Sequence, residues 1–511
     1  MTVRAVIGVD IGTTGCRAVI YDCAGRVLAA SAREYPLHTP QPGWAEQDPE
    51  EIYQATASVV REAVAAAALP PGGLAGMAFG SVFHSLLPVD AAGEPLTRLL
   101  IWADSRSQAY AAKLKEERDA AAIYRRTGCP VHPMYPLAKI LWLRHERPDV
   151  FRRAAKFISI KEFVLHRLLG RFAVDRSIAS GSGLYNLGEL AWDREVLEIL
   201  GIDADRLSPA LPTTTVAEGL ERSAAALFGV PDGIPVVLGA GDGVLSALGA
   251  GAVNPGQLTA MVGTSGAVRM VTDRPLTDPR GRTWCYNLAE NCWVAGAAIH
   301  NGGIALRWLR DNFGGAERQL AERLGADSYD LLIDQAAKVP PGAGGLILLP
   351  LFAGERAPYW NADARGVLFG LNLSHGLPHL VRATLEGVMY RMYSVFTALA
   401  EVAGPVREIR AGGSFTRSRL WLKIMADVFG RPIGLPGEPE GSAFGAAALG
   451  MVALGLLPSI QDAASLVTLR EEIAPDPAVH ARYQELYAIY NRIYWNLQDE
   501  FAAIAALQRE N

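Results

Sequence analysis

Asp10-Ile11-Gly12-Thr13-Thr14-Gly15 puts a carboxylate at the end of an apolar run, beside a tight turn rich in glycine and threonine. The backbone N–H groups and hydroxyls of such a turn form a nest for anions. Asp10 would repel a bare phosphate, so the combination implies an intervening Mg²⁺, largely hydrated and shared with a nucleotide. Gly263-Thr264-Ser265-Gly266 offers a second nest. Either turn alone is compatible with an ordinary hairpin; two at equivalent places in two halves of one chain favour the phosphate reading.

Asp242 stands between Gly241 and Gly243, after the apolar run Ile234 to Ala240. A carboxylate exposed at the carboxyl end of a buried strand can serve as a general base for a hydroxyl nucleophile. It can equally cap a helix starting at Val244. Gly412-Gly413-Ser414, between the strand-like Glu408 to Ala411 and a helix beginning near Ser418, lets backbone approach a ligand closely, and is also what a tight strand-to-helix turn requires.

Trp102, Asp104 and Arg106 alternate with Ala103 and Ser105, so on a strand they would share one face. An indole against sugar C–H groups, with a carboxylate and a guanidinium for hydroxyls, makes a polyol site; the plainer alternative is a surface ion pair. A substrate carboxylate would want a cation, with Arg106 the first candidate and Lys139 and His132 behind it. His84 has no second His or Cys at metal-ligand spacing and is read as a hydrogen-bonding substrate ligand.

These residues need strands and turns to hold them. Ala5 to Asp10, Arg17 to Tyr21 and Arg26 to Ala30 read as a three-stranded meander with short connections. Asp48 then caps a helix with Pro49 at its first position, Glu51 behind it and an apolar stripe of Ile52, Ala55, Val59 and Ala63. The plan restarts at Gln257 to Val262, the 263–266 turn and Ala267 to Val271. Strand-like runs Thr283 to Leu288 and Cys292 to Ala297 and a helix start at Asn301-Gly302-Gly303 follow. Two openings about 250 residues apart suggest a duplicated domain with a cleft between the copies. The expected division is 1–245 and 246–511, with the last helical stretch, Pro477 to Arg509, able to pack back on the first domain.

At 511 residues the chain exceeds the size of one usual hydrophobic core, which also favours two domains. Half the residues are apolar and 20% charged, as in a folded globular protein. A net charge of −5 without a polybasic run gives no field for nucleic acid or membrane surfaces. No stretch approaches about 18 uninterrupted apolar residues and no leader precedes Val6, so a cytoplasmic location is expected. Cys16, Cys23, Cys129, Cys285 and Cys292 form no CxxC and are expected to be reduced packing residues.

The order of these motifs resembles the FGGY carbohydrate kinases, members of the actin, hexokinase and Hsp70 superfold. Met134-Tyr135-Pro136 with Lys139, Trp142 and Leu143 is similar to the family's first signature. Gly366 with Leu368, Gly370-Leu371, His379-Leu380 and Ala383 to Glu386 is similar to its second. The resemblance implies an α/β fold of two actin-like domains with the active site in the cleft between them, using ATP and Mg²⁺. It implies that Asp242 takes the substrate proton and that Asp10 holds the Mg²⁺ through water and phosphates. Thr13, Thr14, Gly263 and Thr264 would line the transferring phosphate, and Gly303, Gly413, Ser414 and Arg417 would flank the nucleotide. Within the family, Pro42 to Pro49, His84-Ser85, Trp102 to Arg106, Ile160-Lys161-Glu162 and Leu351 to Pro358 are most similar to gluconate kinases. Several of these segments are shared with xylulose kinases, and Ser85 after His84 favours the gluconate side. The expected partner is therefore a small sugar or sugar acid, D-gluconate first and D-xylulose second; a homodimer is compatible with this reading. The rival class is a non-catalytic or regulatory actin-like ATP-binding protein, which would need no sugar pocket.

Overall fold

The computed structural model describes residues 4–437 and 441–510. The opening meander forms as its alternation predicts: Ala5–Ile11, Gly15–Asp22 and Val27–Glu34 pair antiparallel, with Asp10 opposite Arg17. Leu74–Ser81 adds in parallel to Ala5–Ile11, and Val236–Gly241 adds in parallel beyond it. Val216–Ala217 completes a six-stranded sheet.

The period of two along Ala5–Ile11 sends alternate side chains to opposite faces. Ala5, Ile7, Val9 and Ile11 join the core that includes Ile52, Val59, Val60 and Ala63 of helix Pro49–Ala67. Asp48 caps that helix through Glu50 and Glu51 N–H, as its sequence predicts. The even set, Val6, Gly8 and Asp10, faces helix Gly441–Ala453 instead. That helix comes so close that a Cβ on Gly8 would lie 1.9 Å from the Ala443 carbonyl oxygen, so only glycine fits there.

The chain forms two compact units. Among the described residues, the first takes those within Met1–Pro255, Val271–Ala295 and Gly437–Thr468, and the second those within Gly256–Met270, Gly296–Pro436 and Leu469–Asn511. The units are thus interleaved in sequence, where a single division near residue 246 was expected. Small residues on Gly441–Ala453 allow it to lie flat on the first unit's sheet, which draws a segment from the far end of the chain into that unit.

The second unit repeats the opening of the first. Gln257–Val262 and Gly266–Thr272 form an antiparallel hairpin, and Glu408–Gly412 joins Gln257–Val262 in parallel, followed by Ile433–Pro436 and Leu469–Ile473. The C-terminal stretch is two helices, Pro477–Asn496 and Gln498–Glu510, and it falls in this second unit, within the 246–511 part where the sequence placed it. The physical reason is the apolar face of Pro477–Asn496: Tyr483, Leu486, Tyr490 and Tyr494 are buried, with Tyr490 beside Tyr390 of helix Leu377–Ala403. Among the described residues, no helix is long and apolar enough to cross a membrane.

Candidate active site

In the first unit, three parallel strands bring the two carboxylates to one edge. Ile11 and Gly241 both pair with Ser81, from opposite sides of the middle strand. Asp10 and Asp242 therefore flank the carboxyl end of Leu74–Ser81, two strand spacings or roughly 10 Å apart. That edge is where ligands meet parallel sheets. Asp242 is the first residue of helix Asp242–Gly249, with Gly241 as the cap, so the capping role considered for it falls to its neighbour. Its Oδ1 accepts the N–H of Gly243 at 2.6 Å.

The strand end that carries Asp242 is fixed by a buried network. Lys161 Nζ pairs with Asp175 at 2.8 Å and donates to the Ala240 carbonyl at 3.1 Å. Asp175 caps helix Arg176–Ser180, and Ser177 of that helix accepts the Gly241 N–H at 3.1 Å. Burial lowers the pKa of Lys161 and Asp175 opposes the shift, so this ammonium depends on its partner.

Asp10 is closed in by burial, which raises its pKa; a bond from Ser442 and the charge of Arg17 pull the other way. Ser442 Oγ donates to Oδ2, whereas Oδ1 is buried with no hydrogen-bond partner among the described residues. A buried carboxylate with one oxygen unmatched is a group that a divalent cation would satisfy, so the residues present fit Mg²⁺. Among the described residues no group of three or more His, Cys, Asp or Glu is placed to hold a metal. Four of the five cysteines are buried in packing positions.

The turn after Asp10 closes with Gly12 N–H to the Gly15 carbonyl at 2.9 Å, and Tyr35 donates its hydroxyl to the Gly12 carbonyl. Thr13 is held from two sides: Gln47 Nε2 donates to its carbonyl at 2.7 Å, and Trp102 Nε1 donates to its hydroxyl at 2.8 Å. Thr14 is exposed at the tip. Trp102 is thereby joined to the phosphate turn.

The segment that carries His84 meets the strand end before Asp242 through Phe83, whose ring packs so tightly on Gly241 that a Cβ there would lie 2.0 Å from it. His84 has a left-handed backbone, φ 66°, and its Nδ1 lies 2.6 Å from the Gly181 carbonyl. A carbonyl can only accept, so Nδ1 carries the proton and Nε2 is the acceptor in the neutral ring. Phe83, Tyr135 and Tyr286 pack around the imidazole, with the two tyrosine hydroxyls 2.9 Å apart. Lys139, fully buried on helix Pro136–Glu146, donates to the His84 carbonyl at 2.7 Å and the Ile101 carbonyl at 2.6 Å. One amine therefore ties the His84 segment to the one that carries Trp102.

The other sequence-predicted sugar ligands are placed differently. Residues 102–106 form turns, not a strand, so Trp102, Asp104 and Arg106 do not share a face. Asp104 is buried, accepts the Ala45 N–H at 2.7 Å and takes two bonds from Arg106 Nε at 2.9 Å. Arg106 also donates to Glu46 at 2.7 Å and stacks on Trp44 at 3.6 Å, with Trp142 at 5.1 Å. Its side chain is 4% exposed. The guanidinium expected to meet a substrate carboxylate is thus engaged by two protein carboxylates and an indole face, and it braces the loop. His132 Nδ1 accepts the Met134 N–H at 3.2 Å, a local contact at the start of helix Pro136–Glu146.

The second unit holds the other turn. The Gly263 and Thr264 carbonyls accept the first N–H groups of helix Gly303–Phe313: Gly303 N–H reaches Gly263 at 2.7 Å, and Gly302 and Ile304 N–H reach Thr264 at 3.1 and 3.2 Å. Gly302 and Gly303 permit this approach, since a Cβ on either would lie within 2.7 Å of the turn. Gly413, φ 94°, passes Val262 as closely. Gly263, Thr264, Gly303, Ser414 and Arg417 line one cavity of about 300 Å³. Asp327, Tyr329 and Asp330, which sequence reasoning missed, form another of its walls. Nothing in their local pattern marks them: Asp327 reads as an ordinary helix cap, and it is one.

Family models match both parts of the chain. That of the FGGY family of carbohydrate kinases, N-terminal domain, matches residues 5–249, and that of the C-terminal domain matches residues 258–454. A gluconokinase from Bacillus licheniformis is 42% identical over 509 residues, covering 99% of this chain and 98% of its own. Among solved structures, a gluconate kinase from Lactobacillus acidophilus superposes with a TM-score of 0.92 at 32% identity, covering 98% of this chain and 100% of that one. A ligand-bound xylulose kinase from the same organism is similar to the same degree, with a TM-score of 0.92, 32% identity and the same coverage.

Proposed function

The chain belongs to the FGGY family of carbohydrate kinases, phosphotransferases that act on an alcohol group, and we propose that it transfers the terminal phosphate of ATP to D-gluconate, giving 6-phospho-D-gluconate. The observation that carries the substrate is the end-to-end likeness to a gluconokinase, 42% identical over 509 residues.

In this reading Asp242, at the carboxyl edge of the sheet, accepts the proton of the sugar hydroxyl as that oxygen attacks phosphorus. His84 accepts a hydrogen bond from a neighbouring hydroxyl through Nε2. Trp102 contributes an apolar wall while its N–H holds Thr13. Thr13, Thr14, Gly263 and Thr264 receive phosphate oxygens, and the cavity lined by Gly303, Ser414 and Arg417 takes the nucleotide, with Gly413 supplying the close turn before Ser414. Mg²⁺, held by Asp10 through water and phosphates, would supply the charge neutralisation that a loose phosphoryl-transfer transition state needs. The carboxylate of gluconate is not met by Arg106, which the protein itself engages.

D-Xylulose is the second reading, favoured by the equally close xylulose kinase structure. A panel of D-gluconate, D-xylulose, L-ribulose, glycerol and L-fuculose, followed by ADP release, separates the two. D-Gluconate is expected to give the highest kcat/KM. A higher value for D-xylulose removes the gluconate assignment and leaves the kinase, and ADP release that no sugar stimulates favours a non-catalytic ATP-binding protein.

A further inference from the structure

The first turn of helix Gly303–Phe313 and the turn 263–266 face the same cavity. The turn closes on itself, Gly263 N–H to the Ser265 carbonyl at 2.9 Å, and the residues that lead into the helix, His300 and Asn301, are held by a buried clamp from residues 353–357. Glu355 has no side-chain exposure; its Oε1 accepts the N–H groups of His300 and Arg356, each at 2.8 Å. Its Oε2 accepts Arg391 Nε at 3.1 Å. Asn301, 0% exposed, answers in the other direction: Nδ2 donates to the Gly354 carbonyl at 3.0 Å and Oδ1 accepts the Ala353 N–H at 3.3 Å.

The two strips of backbone thus exchange side-chain bonds at successive residues. Gly302 and Gly303 follow Asn301 directly and pass the constraint to the Gly263 and Thr264 carbonyls. Arg391 is itself fixed, through the Ala357 carbonyl at 3.0 Å and the Tyr359 ring at 4.3 Å. A fully buried ion pair is a costly way to stabilise a fold, since apolar residues of similar volume usually do as well or better. Here the carboxylate's second oxygen collects two backbone N–H groups at the point where the chain enters the cavity wall.

We propose that Asn301 and Glu355 are positioning residues for the nucleotide, acting through Gly302 and Gly303 to set the phosphate-facing turn 263–266. The inference rests on the reading of the 300 Å³ cavity as the nucleotide site. Neither side chain touches the nucleotide; each determines where backbone does. Misplacement of reacting groups by about 1 Å can cost roughly 10²-fold in rate, so a small shift of the phosphate cradle is expected to register in nucleotide use.

The test measures the Kd of ADP by calorimetry and the KM of ATP and of the sugar in full-length protein. Asn301→Ala, and the isosteric Asn301→Asp should the alanine variant fail to fold, are expected to raise the ADP Kd and ATP KM about 10-fold, with the sugar KM within about 2-fold. Glu355→Leu combined with Arg391→Met removes the acceptor of the His300 N–H together with the cation it pairs, and is expected to raise the ADP Kd about 10-fold. Glu355→Gln with Arg391→Met keeps an oxygen for that N–H and is expected to bring ADP binding back to within about 3-fold of the parent. Unchanged nucleotide affinity in the Asn301 variants or in Glu355→Leu with Arg391→Met, or an equal rise in both KM values, overturns the proposal. Arg417→Ala serves as the control for the cavity itself: ADP binding indifferent to it overturns the nucleotide reading and the proposal together. With that control positive, failure of the Asn301 variants sinks only the clamp.

Discussion

The hydroxyl of Ser442 donates to Oδ2 of Asp10, a bond between residues 432 positions apart that lie in one structural unit. It is the bond that opposes the effect of burial on this carboxyl, which otherwise favours protonation. Ser442→Ala is expected to leave the fold intact and raise the Asp10 pKa further. Ionised Asp10 would then be lost at higher pH on the way down, so the acid limb of kcat/KM moves to higher pH. An acid limb that stays where it is in the variant means that Asp10 does not act as an anion in the reaction.

Asp242→Asn keeps the shape and the Gly243 N–H acceptor but cannot take a proton. The expected result is a fall in kcat of about 10² to 10⁴, with the Kd of ADP within about 2-fold. Near-normal turnover would remove Asp242 from the mechanism.

Lys139 donates to just two carbonyls, those of His84 and Ile101. Burial lowers its pKa to about 7, with Asp104 raising it and Arg106 lowering it. A neutral amine still carries two N–H groups, so both bonds survive deprotonation. Lys139→Met, which supplies neither, is expected to raise the sugar KM about 10-fold and the ATP KM by less than about 2-fold. The split is the diagnostic reading, because general destabilisation would not single out the sugar.

Glu162 titrates in a window where its effect on stability can be isolated. Burial raises its pKa from 4.5 to about 7, against the bonds from Ser208 and Ser159 that lower it. Between those values the folded state holds a proton that the unfolded state has released, so stability declines as pH rises from about 4.5 to 7 and stays lower above it. The penalty is on the order of 3 kcal/mol at pH 8. Glu162→Gln keeps the acceptor for the Ser159 N–H and is expected to flatten this decline in thermal melts across pH 4.5 to 8. A slope equal to that of the parent protein would show that the Glu162 carboxyl is already ionised when folded.

What the sequence revealed was local. The meander, the Asp48 cap, both glycine–threonine turns and the strand leading to Asp242 follow from period-two alternation and turn residues, and all form where expected. The strand reading of Trp102 to Arg106 failed because alternation over five residues also fits irregular backbone, and that geometry put Arg106 between Trp44, Asp104 and Glu46. Ser442 gave no signal, and Asn301 and Glu355, though they lie in segments the sequence singled out, gave none for their pairing, since their partners are distant in sequence and a buried polar side chain looks like any other until its acceptor is placed.

The interleaving of the chain also bears on how the protein is made. The first unit's sheet is complete by Gly241, yet its even face, with Val6, Gly8 and Ala78, is covered by helix Gly441–Ala453. Translation at about 5 to 20 residues per second puts roughly 10 to 40 s between the emergence of the sheet and that of its cover. During that interval the nascent polypeptide on the ribosome displays an apolar strand surface, a natural substrate for chaperones. A ribosome stalled ahead of residue 441 would carry a chain that cannot close this face by itself.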